Sequence, residues 1–466
     1  NETKKIPLNF IAYTFGYIKN NNFDYQSEFL KNLKKWGFKT NKDNKIFHNI
    51  SELLKFHKKF ENKRFDLDYD LDGLVYKIND LSLQSRLGFT SNAPRWAIAH
   101  KFSADTAYTK VLNIEIQIGR TGALTPVAKV KPINIGGVIV SNATLHNEDE
   151  IIRKDIRVGD IVKIERAGDV IPHVIEVDKS KREKSSKPFI FPIKCPSCRS
   201  DTVKEFNKIT KKYDAVRRCI NDGYGCERIA IEKIKHFISK EAMNIDGLGK
   251  KVVEKFWELK LIKKPQDIFS LNYKKIENLD GWGQTSVNNL KISIENSKKV
   301  SLQKFIYAIG IRHIGIENAK LISENVLNIN EFIEIVSNNR FNKFLNIDGI
   351  GETQVSSLKN FFSYKINLDI LIQLKNMLNI QSENFNKNGI LKNKTFMITG
   401  KLVGISRAEA KSLIEKNSGT TLSSVSKNLN YLVIGDKPTK RKLDQAKSLS
   451  IKIISQDKFE KLLNKT

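Results

Sequence analysis

The chain has 466 residues, enough for several domains, and carries 80 Lys and Arg against 51 Asp and Glu, a net charge of +29. No apolar run in it is long enough to cross a bilayer, which excludes a membrane-spanning helix within these residues. The cationic excess favours a polyanionic partner and salt-sensitive binding, although a solvated Lys-rich surface would carry the same charge.

Residues 1–102 read as mixed α/β. Phe10–Ile18 is strand-like, and Leu30, Leu33 and Trp36, then Leu53, Leu54 and Phe60, fall at helical spacing. Leu71-Asp-Gly-Leu-Val-Tyr-Lys-Ile78 and Trp96-Ala-Ile-Ala-His-Lys-Phe102 are strand runs with Lys77 and Lys101 near their ends. Residues 103–180 read as short alternating strands with turns at Gly119–Gly122 and Val158–Asp160, a pattern that suggests an OB-fold barrel. Asp178–Pro188 is too polar to pack and reads as a linker.

All four cysteines fall in the 181–228 segment: Cys195, Cys198, Cys219 and Cys226. Two pairs separated by twenty residues can surround one tetrahedral Zn²⁺, and a closed shell of four thiolates makes the metal structural rather than catalytic. The alternatives are two disulfides, which an oxidising compartment and a small secreted domain would favour, or four unrelated buried thiols.

Residues 229–375 hold a repeat. Ile245-Asp-Gly-Leu-Gly249, Leu279-Asp-Gly-Trp-Gly283 and Ile347-Asp-Gly-Ile-Gly351 share one pattern, and Ile311-Arg-His-Ile-Gly315 is a weaker copy with His313 in place of a glycine. A helical solenoid has such a period. The paired glycines (Gly247 and Gly249, Gly281 and Gly283, Gly349 and Gly351) favour helix-hairpin-helix units instead, with backbone N–H groups free for phosphate beside a helix start. After a second linker, residues 388–466 alternate strand and helix, which implies a small parallel sheet. The fold class is therefore multidomain α+β.

Taken in order, these motifs resemble the bacterial NAD-dependent DNA ligases. Leu71–Lys77 and Ala93–Phe102 are similar to two nucleotidyltransferase motifs of that family. Gly119–Ala128, Ser141–Asn147 and Arg166–Pro172 are similar to its OB domain. The four cysteines, the hairpins and a BRCT-like tail follow in the family's order, with Gly400, Gly419-Thr420 and Tyr431–Gly435 as the BRCT-like points and Phe459 where many such domains have Trp. The resemblance implies a partial nucleotidyltransferase domain (1–102), an OB-fold (103–180), a linker and zinc module (181–228), a helix-hairpin-helix domain (229–375) and a BRCT-like domain (388–466).

It further implies the sealing of 5′-phosphate/3′-hydroxyl nicks in duplex DNA through enzyme-AMP and DNA-adenylate intermediates, in replication and repair. NAD is the adenylate donor, Zn²⁺ is structural and Mg²⁺ or Mn²⁺ catalytic. Lys77 and Lys101 are expected to contact the adenylate. Arg120 and Arg166 are expected on DNA phosphates, and Val170 and Ile171 either press into the minor groove or plug the barrel. The expected protein is a bacterial, cytoplasmic, nucleoid-associated monomer with no membrane partner, whose tail has a protein or DNA partner.

One departure matters. The family's nucleophile lies in Lys-x-Asp-Gly, and none of the five Asp-Gly pairs, at Asp72, Asp222, Asp246, Asp280 and Asp348, has Lys two positions earlier. The expectation is a ligase cut off before residue 1 that cannot adenylate itself. A non-catalytic zinc, hairpin and BRCT scaffold is the alternative. A repair nuclease would need clustered carboxylates for two metals, and the sequence offers none.

Overall fold

The computed structural model describes residues 3–16, 18, 23–90, 93–166, 171–207, 211–221, 223–347, 349–382, 389–391, 394–405, 407–422, 425–426 and 429–463. Residues 1–105 with 389–466 form one unit, and residues 106–166 with 171–388 the other.

In the first unit, α1 (Gln26–Lys35) buries Phe29 and Leu33, and α2 (Ile50–Lys63) buries His57 and Phe60. Asn49 caps α2 by accepting from the Glu52 N–H at 2.9 Å, which satisfies an amide that the helix leaves unpaired. Strand β1 (Gly73–Lys77), helix α3 (Leu81–Leu87) and strand β2 (Ala97–Lys101) follow, with β1 and β2 antiparallel. Phe10–Ile18 departs from the expected strand. Ala12 donates to the Lys39 carbonyl at 2.8 Å, but no ladder forms among the described residues. Strand composition without a neighbouring strand leaves an extended segment and nothing more.

The second unit opens with β3 (Asp105–Ile118), β4 (Leu124–Ile135), β5 (Val138–Thr144), α4 (Glu148–Lys154), β6 (Ile161–Arg166) and β7 (His173–Val177). The strands close into a barrel in the order β3-β4-β5-β7-β6. Val111, Leu124, Ala128, Val130, Ala143, Val162, Ile164 and Val174 fill it. Their alternation with outward residues is the period-two signature that the sequence carried.

The 178–188 stretch corrects the expectation of an unpacked linker. Arg182 donates twice to Asp160, at 2.9 Å each, and also pairs with Asp155. Arg157 holds the other side, donating to Asp155 at 2.8 and 3.1 Å and to the Ser186 carbonyl at 2.7 Å. Asp160 is 1% exposed. Polarity does not prevent packing when each charge has a counter-charge and a hydrogen bond.

Strands β8 (Thr202–Asn207) and β9 (Lys212–Cys219) form the antiparallel ribbon that carries the third cysteine. The ribbon docks on the barrel at the 119–122 turn, where the Cys219 N–H donates to the Gly122 carbonyl at 2.9 Å. Gly122 has φ +75°, and a Cβ there would lie 2.9 Å from the Cys219 carbonyl, so the turn requires glycine on both counts.

Helices α5 (Glu227–Phe237), α6 (Lys250–Glu258), α7 (Tyr273–Glu277) and α8 (Gln284–Ser297) lead into strand β10 (Lys299–Ser301). Helices α9 (Leu302–Ala308), α10 (Ile316–Glu324), α11 (Ile329–Ser337), α12 (Glu352–Ser363) and α13 (Lys365–Met377) lead into β11 (Asn379–Gln381), which pairs in parallel with β10. A single apolar core, from Ala230 to Leu378, runs through this module.

The tail, in the first unit, contains β12 (Thr395–Thr399), α14 (Arg407–Lys416), β13 (Thr420–Thr421), β14 (Tyr431–Ile434), α15 (Lys440–Ser448), β15 (Lys452–Ser455) and α16 (Gln456–Leu463). The parallel sheet runs β13-β12-β14-β15, as the alternating pattern implied. Phe459 is fully buried against Phe396, with ring centroids 5.9 Å apart.

Candidate functional site

The β1–β2 pair puts Lys77 and Lys101 on one face. Lys77 lies opposite Ala97 and Lys101 opposite Gly73, and residues 97 and 101 have the same parity. Four residues separate the two positions, roughly 13 Å between Cα atoms. Between them Val75, 60% exposed, and exposed Ala99 leave the face open. On the other face α2 covers the His100 end, where His57 stacks on His100 at 3.7 Å and His100 Nδ1 lies 3.0 Å from the Tyr76 hydroxyl, while Ile98 stays exposed.

Gly73 makes this approach possible, because a Cβ there would sit 2.5 Å from the His100 carbonyl. Lys77 lies 4.9 Å from the Tyr13 ring, and partial burial lowers its pKa below the usual lysine value. Lys101 is ion-paired with Asp72, a partner that the sequence did not single out.

The four cysteine sulfurs converge within 4.8 Å of one another. Cys195 and Cys226 Sγ lie 3.9 Å apart, and Cys198 and Cys219 Sγ 3.5 Å apart. All four are free thiols, which sets aside the disulfide alternative. A tetrahedron of sulfurs each about 2.3 Å from a central ion has edges of about 3.8 Å, so the cluster fits a four-thiolate metal shell. Burial pushes Cys219 and Cys226 up. Burial raises Cys198 as well, but its hydrogen bonds with the Ser200 side chain and backbone and with the Cys219 and Cys195 sulfurs outweigh it and hold Cys198 at about 7. Three of the sulfurs are buried and Cys198 partly so, and as thiolates they would repel one another unless a cation lay between them.

Gly249, Gly283, Gly315 and Gly351 are the N-cap residues of α6, α8, α10 and α12, each in extended conformation. Their hairpins turn through Gly247, Gly281 and Gly349 at φ +88°, +78° and +92°, and through His313 at +60°. The Ile311–Gly315 copy is therefore a hairpin like the others. His313 masks Gly315 in the sequence by breaking the repeat, and the final glycine is the signal that marks it. Beyond Gly249, Gly283 and Gly315 the space is open. At Gly351 the chain's own Gln354 Oε1 accepts from the amide at 3.1 Å.

Of the barrel candidates, Arg120 Nη1 donates to the Gly310 carbonyl at 2.8 Å, and burial lowers its pKa. Arg166 ends β6 and is partly buried. Ile171 is 71% exposed, so in this structure it does not plug the barrel. Val170 lies outside the described residues. No described helix is long and apolar enough to cross a membrane.

One unit carries a lysine-bearing strand pair, and the other a small closed barrel, a four-cysteine ribbon and four glycine-started helices, a set of modules suited to DNA binding. Family models match it in four places. These are the NAD-dependent DNA ligase adenylation domain over residues 1–105 and OB-fold domain over 108–186, the helix-hairpin-helix motif over 304–371, and the BRCA1 C Terminus (BRCT) domain over 386–463. The DNA ligase of Pelagibacter ubique (strain HTCC1062) is 62% identical over 465 residues, covering 100% of this chain and 69% of the relative. Those of Rickettsia canadensis (strain McKiel) and Xanthobacter autotrophicus (strain ATCC BAA-1158 / Py2) are 44% and 40% identical, over 99% of this chain and 68% and 66% of their own lengths. The chain belongs to the NAD-dependent DNA ligase family.

Proposed function

We propose that the chain acts in sealing nicks in duplex DNA, with NAD as adenylate donor and adenylated enzyme and DNA as intermediates. The observation that carries this reading is the open β1–β2 face with Lys77 and Lys101 on the same side, within the stretch matched by the adenylation-domain model. Each transfer builds negative charge around a phosphorus, and cations held beside it lower the barrier. Lys77 and Lys101 serve as those cations, and arriving phosphate competes with Asp72 for Lys101. A bound Mg²⁺ or Mn²⁺ adds further neutralisation.

Cys195, Cys198, Cys219 and Cys226 hold Zn²⁺, whose role is to fold the ribbon. Gly249, Gly283 and Gly315 present helix-start amides to DNA phosphates, and Gly351 does so where phosphate displaces Gln354 from its amide, with Gly247, Gly281 and Gly349 shaping the turns. Arg120 and Arg166 add charge on the barrel side, and Val170 and Ile171 enter the minor groove.

Lys-x-Asp-Gly does not occur in these 466 residues. The chain by itself is therefore expected not to take up AMP covalently. Incubation with NAD labelled in the adenylate, followed by a denaturing gel, should give no labelled protein band; a band would show that another lysine is the nucleophile. A pre-adenylated nick should still be bound, and more weakly by Lys101→Ala. Equal binding by that variant would remove Lys101 from the phosphate site.

A further inference from the structure

The third hairpin is tied to the β8–β9 ribbon by its own side chain. Arg312, its second residue, reaches two carboxylates of the β8–β9 ribbon: Glu205 Oε2 at 2.5 Å from Nη1 and Asp214 Oδ2 at 3.4 Å from Nη2. Arg218 takes the same Asp214 oxygen at 3.2 Å and donates to the Thr121 hydroxyl of the barrel turn at 3.2 Å. Two residues before Arg312, the Gly310 carbonyl accepts from Arg120. The neighbours Ile311 and Ile314 are 1% and 2% exposed, so the loop is locked into the helical core on either side of the guanidinium. The arginine side chain itself is only 29% exposed.

We propose that Arg312 is a positioning residue for DNA binding. Through Glu205 and Asp214 it fixes the third hairpin, and with it the phosphate-facing amides at Gly315, against the ribbon and the barrel turn. The proposal rests on the reading that the hairpins grip DNA phosphates. Its physical content is that a planar guanidinium bridging two carboxylates, one nitrogen to each, sets orientation as well as distance, which one lysine could not do. Two carboxylates beside a DNA-facing loop would otherwise repel the duplex, and Arg312 with Arg218 offsets them.

A charge swap tests it on the full chain, with nicked duplex as probe and affinity followed across a salt series. Arg312→Glu should weaken binding by about tenfold, the size of a coupling of about 1.4 kcal/mol. Its slope of log affinity against log salt should change by clearly less than the roughly 0.9 that losing a direct cation–phosphate contact gives, because the guanidinium itself makes none. The double variant Arg312→Glu with Glu205→Arg has the parent's net charge and should recover most of the loss. If the double variant binds as poorly as Arg312→Glu, or if the slope falls by about 0.9, Arg312 acts on DNA directly and the proposal is overturned. It is equally overturned if Arg312→Glu binds like the parent. Gly315→Val is the control for the underlying reading: if it leaves affinity and slope untouched, the hairpin itself is not a phosphate site, and that failure is separate from the failure of the clasp.

Discussion

At the scale of single residues, the same residue type does different work according to what lies within a few ångströms. Gly283 and Gly349 illustrate this. Gly283 has an ordinary extended backbone, φ −138°, and open space around its missing Cβ. Gly349 has φ +92°, and a Cβ would lie 2.9 Å from Leu321 Cδ1. Gly283→Val is therefore expected to lower thermal stability only slightly, through the poorer N-cap, while weakening DNA binding by crowding the amide. Gly349→Val is expected to lower the melting temperature, at a cost of about 1–3 kcal/mol for strain and overpacking. Thermal unfolding paired with a binding titration on both variants separates the two effects.

Arg182 shows the opposite economy, one side chain with several obligations. Arg182→Ala leaves Asp160 buried without its counter-charge and should cost about 3–5 kcal/mol in denaturant unfolding. Asp155 in this network has its pKa held down to about 2, first by hydrogen bonds from Arg157 and then from Arg182. A depressed carboxylate contributes stability that is full above its unfolded pKa, near 4, and is lost as pH falls toward 2. The stability difference between the parent and Asp155→Asn should therefore be present at pH 7 and shrink across that acid window. A difference independent of pH would show that the carboxylate charge is not what matters.

At the scale of elements, the ribbon depends on its thiolates. It has few apolar residues of its own, and its strand β9 ends on Cys219, which is also the residue docked on Gly122. Metal binding and local folding are thus expected to be one event. Elemental analysis should find one zinc per chain. Cys219→Ser should lose it and open the 202–219 hairpin to hydrogen exchange, with the amides of the barrel turn following. Retention of a full equivalent of zinc by that variant would contradict the assignment. The helical module should stay protected, because its core from Ala230 to Leu378 is built within itself.

At the scale of the whole molecule, charge and site act together. The net charge of +29 is spread over several modules, and phosphate contacts release counterions. Affinity for nicked duplex should fall steeply between low and physiological salt and depend little on base sequence. A flat salt response would argue against phosphate contacts as the main source of affinity, whatever the net charge.

Much of this was legible in the chain. Cysteine spacing, paired glycines and the alternation of β3 to β7 are short-range patterns, and each reports a local geometry that the residues adopt wherever they lie. Lys77 and Lys101 could be placed at strand ends for the same reason. Their common face could not, because it depends on the register between two strands twenty residues apart. The ion pair of Lys101 with Asp72, the docking of Arg182 on Asp160 and the clasp of Arg312 on Glu205 were likewise out of reach. A charged residue in sequence carries no mark of whether its partner is water, DNA or a carboxylate more than a hundred residues away. By itself the sequence determined which modules form and in what order, since propensity, patterning and spacing act over a few residues. The tertiary structure alone decided which cations are already engaged and which surfaces stay open, since hydrogen bonds and burial are set by neighbours that only folding brings together.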